Sequence, residues 1–157
     1  FDLISCQNVL LHLTAEAALT SVRNLLTVLA PGGVLARSRG FLLYALDGPT
    51  PVRGWLVLTA ARHVHGLYDL DGAEAAALGA LAARVQRAQR SALGAEHAYA
   101  ALFAEAVPHL HLHLVPRFSD APPRLVGARV FLAAAEEAIP EADAIEAARA
   151  VARALKR

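Results

Sequence analysis

An alternating run of histidine and leucine limits the local structure that this chain can form. Residues 109–114 are His-Leu-His-Leu-His-Leu, with Pro108 before them and Pro116 shortly after. Side chains alternate between the two faces of a β-strand, so a strand gathers the histidines on one face and the leucines on the other. A helix would scatter the histidines around its axis, and the flanking prolines disfavour it. The run therefore predicts a strand over residues 107–118, with successive histidine Cα atoms roughly 7 Å apart.

Three imidazoles on one strand face have a limited range of chemistry. A neutral ring is a nucleophile toward phosphorus, and neighbouring rings can stabilise the phosphate charge. On this interpretation His109, His111 and His113 bind and attack a phosphate. Neutral imidazoles also ligate transition metals, and a zinc site would take further ligands from Glu105, His63 and His65. The third interpretation is a polar strand face without chemistry, and the pattern alone leaves all three open.

Turn and capping signals divide the rest of the chain. The apolar run at residues 55–60 predicts a strand, and residues 95–105 predict another through Tyr99 and Phe103. The longest helix is predicted to begin after Asp71, as its N-cap, and to end at Gly94.

A terminal helix is predicted after Pro140, where acidic residues precede basic ones.

Composition excludes several classes of protein. The chain has 157 residues, of which 56% are hydrophobic and 18% charged, and this balance favours a folded domain with a sizeable core. The formal net charge of +1 gives no electrostatic reason to expect a nucleic-acid or membrane-surface partner. No apolar run reaches the length of a membrane-spanning helix. The single cysteine, Cys6, cannot form an intrachain disulfide and fits a reducing compartment, so we expect a cytoplasmic protein.

Two segments together resemble the histidine triad (HIT) family of nucleotide hydrolases and transferases. Residues 109–115 have the family's three alternating histidines followed by two apolar residues. Upstream, residues 46–70 contain an acid, a proline-rich turn, a glycine, an apolar strand and a basic-His-Val segment, in the order that the family shows around its first core strand. The resemblance covers roughly residues 41–118.

The resemblance implies an α+β fold, in which an antiparallel sheet is flanked by the long helix. It assigns residues 37–157 to a HIT-like domain and leaves residues 1–36 as an appendage. The family often dimerises through the long helix and the neighbouring strand, so a homodimer is expected. Neither a metal ion nor a cofactor is required for the family's chemistry.

By position, the resemblance also implies a role for each site residue. His111 attacks the α-phosphate of a nucleotide and forms a covalent nucleotidyl-histidine, His113 contacts the phosphate oxygens, and His109 orients His111 through its backbone carbonyl. The substrates would be dinucleoside polyphosphates or nucleoside phosphoramidates. The other nucleotide-binding residues implied are Asp47 near the ribose, Phe41, Leu43 and Leu46 beside the base, and Glu105 next to the phosphate.

The sequence departs from the family's pattern at three positions. Trp55 stands where the family usually has a fourth histidine, and its N–H can donate a hydrogen bond but cannot accept one. Glu105 and Ala106 replace a glutamine and a hydroxyl residue before the triad, and a carboxylate repels a nearby phosphate. A weak or inactive nucleotide-binding protein is therefore an alternative to the hydrolase, as is a zinc-binding protein.

Residues 1–36 resemble a second family, the later half of a class I S-adenosylmethionine methyltransferase core. An apolar strand with Asp2 and Asn8 is followed by a helix predicted from Thr14, and then by Leu-Ala-Pro-Gly-Gly before the next strand. The glycine-rich cofactor loop of that family would lie further upstream. We therefore expect a strand-helix-strand appendage without a complete methyl-donor site.

Overall fold

A five-stranded antiparallel sheet forms the centre of the fold. The structure, a computed structural model, describes residues 34–46, 49–105, 107–133 and 137–156. In the described chain the strands lie in the order β1-β2-β3-β5-β4. Their bounds are β1 Val34–Ser38, β2 Phe41–Ala45, β3 Leu56–Ala60, β4 His97–Ala101 and β5 His111–Arg117. The histidine-bearing strand β5 therefore lies inside the sheet, between β3 and β4.

Two helices accompany the sheet, α1 at Gly72–Leu93 and α2 at Glu141–Ala154. The predicted ends of α1 are confirmed. The Asp71 side chain accepts a hydrogen bond from the backbone N–H of Glu74 at 2.8 Å, while the Glu74 carboxylate accepts one from the Asp71 N–H at 3.0 Å. Gly94 ends the helix in the left-handed region with φ of 72°, a conformation that glycine adopts without steric cost. Short 3-10 turns lie at Leu67–Asp69, Pro123–Leu125 and Gly127–Leu132.

The helices cover one face of the sheet and bury the main core. Leu58, Leu114 and Val85 belong to this cluster, together with Val151 of α2. A second, smaller cluster contains Val52, Trp55, Val115, Leu125 and Val130. The α+β class, the antiparallel sheet and the long flanking helix are thus confirmed.

Two predicted strands are shorter than the sequence suggested. β5 begins at His111 rather than at residue 107, because the preceding backbone makes other contacts. The Leu110 N–H donates to the Val64 carbonyl at 2.7 Å, and the Leu110 carbonyl accepts from the Thr59 hydroxyl at 2.7 Å. Of the three histidines predicted to share one strand face, only His111 and His113 therefore lie within β5. β4 ends at Ala101, so the strand predicted through Phe103 was too long.

The predicted appendage lies almost entirely outside the described residues, which begin at residue 34. The predicted domain boundary between residues 36 and 37 falls inside β1, which pairs with β2. The interpretation of residues 1–36 as a methyltransferase-like fragment stays a prediction. In the part of the chain that is described, no helix is long and apolar enough to span a membrane.

Candidate functional site

β5 presents His111 and His113 on one face of the sheet. His111 pairs with Thr59 of β3 and His113 with Val57, and directly opposed residues of antiparallel strands share a face. The intervening Leu112 packs against the main core on the other side. The two half-buried imidazole rings have centroids 5.2 Å apart and planes inclined at 84°. A single ligand can therefore contact both rings.

The backbone beside His111 fixes which of its ring nitrogens carries the proton. Its Nδ1 lies 2.6 Å from the carbonyl oxygen of His109. Since a carbonyl oxygen only accepts hydrogen bonds, Nδ1 must be the donor. In the neutral ring the lone pair then lies on Nε2. This arrangement gives His111 a nucleophilic nitrogen and holds the ring in place.

His113 has the opposite arrangement. The Trp55 indole Nε1–H donates to Nδ1 of His113 at 3.1 Å, and an indole nitrogen can only donate. The neutral His113 ring therefore carries its proton on Nε2. Burial, followed by the effect of the neighbouring His111, lowers the pKa of His113 from its ordinary value of 6.5 to about 4. His113 is thus a neutral hydrogen-bond donor near pH 7.

His109 is placed differently from the other two histidines. It precedes β5 and is only 4% exposed. Its Nε2 lies 2.9 Å from the Ala60 carbonyl oxygen and is therefore the protonated nitrogen. The ring stacks on His63, with centroids 5.5 Å apart and planes inclined at 16°. Burial lowers the pKa of His109, so the side chain is an uncharged part of the interior and the backbone carbonyl is the group that reaches His111.

His109 also has an unusual buried atom. Its Nδ1 is buried and has no hydrogen-bond partner. His63 in turn lies beside His65, with their Nε2 atoms 3.3 Å apart. Within residues 34–46, 49–105, 107–133 and 137–156, however, no group of three or more His, Cys, Asp or Glu side chains is positioned to hold a metal ion.

An aromatic cluster borders His113. Trp55 and Phe131 are in edge contact with centroids 5.2 Å apart, and Phe103 contacts Phe131 at 5.2 Å. The rings of Phe131 and Phe103 lie 6.0 and 6.5 Å from the His113 ring. Phe103 is 54% exposed, so one side of the cluster faces solvent. Neither phenylalanine was predicted as a site residue, because both lie in segments without a regular hydrophobic period.

The residues predicted to flank a nucleotide base do not all share one face. Phe41 and Leu43 are 2% and 3% exposed and belong to the core beneath the helices, across the sheet from His111 and His113. Leu46 packs against the cluster that contains Trp55, and its N–H donates to the Trp55 carbonyl at 3.1 Å. The structure thus brings Leu46 close to the histidine face and places the other two away from it.

Two acidic residues, Asp47 and Glu105, also have predicted roles in nucleotide binding. Asp47 lies outside the described residues. Glu105 is exposed. Arg117, the last residue of β5, forms an ion pair with Glu96 at 2.9 Å.

Comparison with solved structures identifies the fold. A zinc-bound histidine triad family protein from Mycobacterium smegmatis is 25% identical, with a TM-score of 0.64 over 87% of this chain and 92% of that one. A histidine triad protein from Bradyrhizobium japonicum is 22% identical, with a TM-score of 0.62 over 78% of this chain and 89% of that one. A hypothetical histidine triad nucleotide-binding protein from Sulfolobus tokodaii is 14% identical, with a TM-score of 0.60 over 78% and 83%.

No protein-family model and no curated protein matches the sequence. The chain nevertheless has the histidine triad fold, as the resemblance implied. The strand that carries His111 and His113 is an inner strand of that sheet.

Proposed function

We propose that this chain binds a nucleotide at the histidine face and hydrolyses or transfers it at the α-phosphate through His111. One observation carries the proposal. The His109 carbonyl holds the Nδ1 proton of His111 at 2.6 Å, which leaves the Nε2 lone pair free to attack phosphorus. The neighbouring His113 ring, 5.2 Å away, offers an Nε2–H to the phosphate oxygens. The fold shared with a protein described as nucleotide-binding adds support.

The proposed reaction has two steps. In the first, the His111 Nε2 lone pair forms a bond to phosphorus while the bond from phosphorus to the leaving group breaks, and the leaving group keeps the electron pair. The ring becomes a cation that the His109 carbonyl stabilises through Nδ1–H. In the second, water attacks phosphorus and loses a proton to solvent. The electron pair of the N–P bond returns to Nε2 and regenerates neutral His111.

The nucleoside part of the substrate is assigned to Leu46 and Asp47. We assign Leu46 to the base, since it packs in the cluster that contains Trp55. Asp47 keeps its proposed contact with the ribose hydroxyls. Phe41 and Leu43 are left out of the base site because they lie in the main core. Dinucleoside polyphosphates and nucleoside phosphoramidates are the substrate classes proposed.

Covalent trapping tests the proposed function. Protein mixed with an α-phosphate-labelled nucleotide and quenched in denaturant should retain label, because a nucleotidyl-histidine is covalent. His111→Ala should abolish the label. His97→Ala is the matched control, since His97 is an exposed histidine on β4, and it should label like the wild type. Equal labelling of wild type and His111→Ala would disprove the role of His111.

The second candidate is a nucleotide-binding protein without catalysis. It is favoured by Glu105, whose exposed carboxylate precedes the histidine strand, and by Trp55, which cannot accept or relay a proton at the position next to His113. This candidate predicts nucleotide binding by calorimetry without trapped label. The two experiments together therefore separate the candidates.

A further inference from the structure

The hydrogen bond from Trp55 limits what His113 can do. An imidazolium ion carries a proton on both ring nitrogens. In His113 the Nδ1 atom already accepts the Trp55 N–H at 3.1 Å, so protonation there would set two donors against each other. The indole is itself held in place, since Trp55 is 7% exposed and contacts Phe131. The His113 ring is therefore kept neutral by a fixed partner.

One further neighbour of His113 opposes a positive charge on its ring as well. The described ring contacts of His113 are with Trp55, Phe103, His111 and Phe131. Of these only His111 has an ionisable side chain, and a positive charge there disfavours a second cation on His113. Burial also lowers the pKa of His113. The burial and the hydrogen bond from Trp55 therefore both favour the neutral ring.

We propose that Trp55 is a positioning residue that holds His113 as a neutral donor, and that the site consequently acts on nucleotides whose leaving group departs without being protonated. This inference rests on the function proposed above and narrows its substrate class. It favours phosphoric anhydrides over phosphoramidates, because a phosphate leaves as a stable anion whereas an amine must take up a proton.

The bond changes show where the difference arises. With an anhydride, the His111 N–P bond forms, the bridging P–O bond breaks, and the leaving phosphate keeps the electron pair. The Nε2–H of His113 donates a hydrogen bond to the oxygens and retains its proton. With a phosphoramidate, the departing nitrogen needs a proton as the P–N bond breaks. Neutral His113 could give up a proton only by becoming an imidazolate, so it does not serve as the acid.

Nitrogen-15 NMR of the imidazole rings tests the positioning role directly. In the wild type at pH 7, His113 should show an unprotonated Nδ1 and a protonated Nε2. Trp55→Phe keeps an aromatic ring against Phe131 but removes the donor, so the pKa of His113 should rise and both tautomers should appear. Phe131→Leu is the matched control, since it removes the ring contact and keeps the N–H, and it should leave Nδ1 unprotonated. A wild-type spectrum with Nδ1 protonated would overturn the proposal without any variant.

A comparison of two substrates tests the preference for phosphoric anhydrides over phosphoramidates. Diadenosine tetraphosphate and an adenosine 5′-phosphoramidate of an alkylamine present the same nucleoside with different leaving groups. The wild type should have the larger kcat/KM for the anhydride. General acid catalysis contributes on the order of a hundredfold or more, so Trp55→Phe should shift the ratio toward the phosphoramidate by at least about tenfold.

Two results would refute the substrate preference. One is a wild type that cleaves the phosphoramidate faster. The other is a ratio unchanged in Trp55→Phe although NMR shows the hydrogen bond lost. If instead the wild type traps no label from any nucleotide, the proposed function fails and the substrate preference fails with it. The tautomer of His113 is still decided by NMR in that case, so the two failures are distinguishable.

Discussion

The three histidines at positions 109, 111 and 113 hold their protons in different ways despite equal spacing. His111 donates through Nδ1 to a backbone carbonyl, and His113 accepts at Nδ1 from Trp55. His109 donates through Nε2 to the Ala60 carbonyl. The alternating leucines do not distinguish them, since each histidine has similar neighbours in sequence. Partners brought close by strand pairing decide which ring is a nucleophile and which is a donor.

The lowered pKa of His113 predicts a pH dependence of stability. Between its ordinary value of 6.5 and the folded value of about 4, the unfolded state binds a proton that the folded state does not. The free energy of unfolding should therefore decrease as pH falls through this window and change little from this cause below it. Urea denaturation of the wild type and of His113→Phe at pH 7 and pH 5 measures the effect. The variant should lose less stability than the wild type between the two pH values, and equal losses would contradict the prediction.

The sequence predicts those features of the site that depend on local contacts and not those that depend on contacts between distant residues. The alternation indicated that His111 and His113 share a face, because side-chain direction along a strand is a local property. Trp55 stands in the sequence where the family has a histidine, but its hydrogen bond to His113 joins residues separated by 58 positions. The face on which Phe41 lies is not a local property, because it depends on which strands pair and on which side the helices cover.

Both ends of helix α1 were predicted accurately because the signals that define them are local. The capping box joins residues three apart, Asp71 and Glu74. Arg62 adds two short hydrogen bonds to the Glu74 carboxylate, and with the Asp71 N–H these lower the pKa of Glu74 to about 2. The carboxylate of the capping box therefore stays ionised well below pH 4. In contrast, the start of β5 depends on Leu110 bonding to distant backbone, which no local pattern records.

Removing the N-cap should destabilise the fold by a predictable amount. Asp71→Ala leaves the Glu74 N–H without its side-chain acceptor, and such losses cost about 1 kcal/mol. In a chain of this size that lowers Tm by about 2–4 °C. Asp71→Asn is the matched control, because asparagine caps about as well, and it should keep most of the stability. Thermal unfolding followed by circular dichroism measures both variants, and equal Tm values for Asp71→Ala and the wild type would show that the cap contributes nothing.

The strand order puts β4 at one edge of the described sheet. β4 pairs with β5 on one side. Its sequence, His-Ala-Tyr-Ala-Ala, contains no Lys, Arg, Asp or Glu. Exposed edge strands usually carry charges or prolines that prevent pairing with another chain. β4 has neither, and it follows α1 directly, so the helix and the strand lie together as the expected dimer requires.

We therefore expect two copies to associate through β4 and α1. Size-exclusion chromatography with light scattering should give twice the chain mass of 16.6 kDa. Ala100→Lys places a charge at an exposed position of β4 and should shift the mass toward that of one chain. Ala142→Lys, at an exposed position of α2, is the control and should remain a dimer. A wild type that stays monomeric at high concentration would refute the dimer, and an unaffected Ala100→Lys variant would place its interface elsewhere.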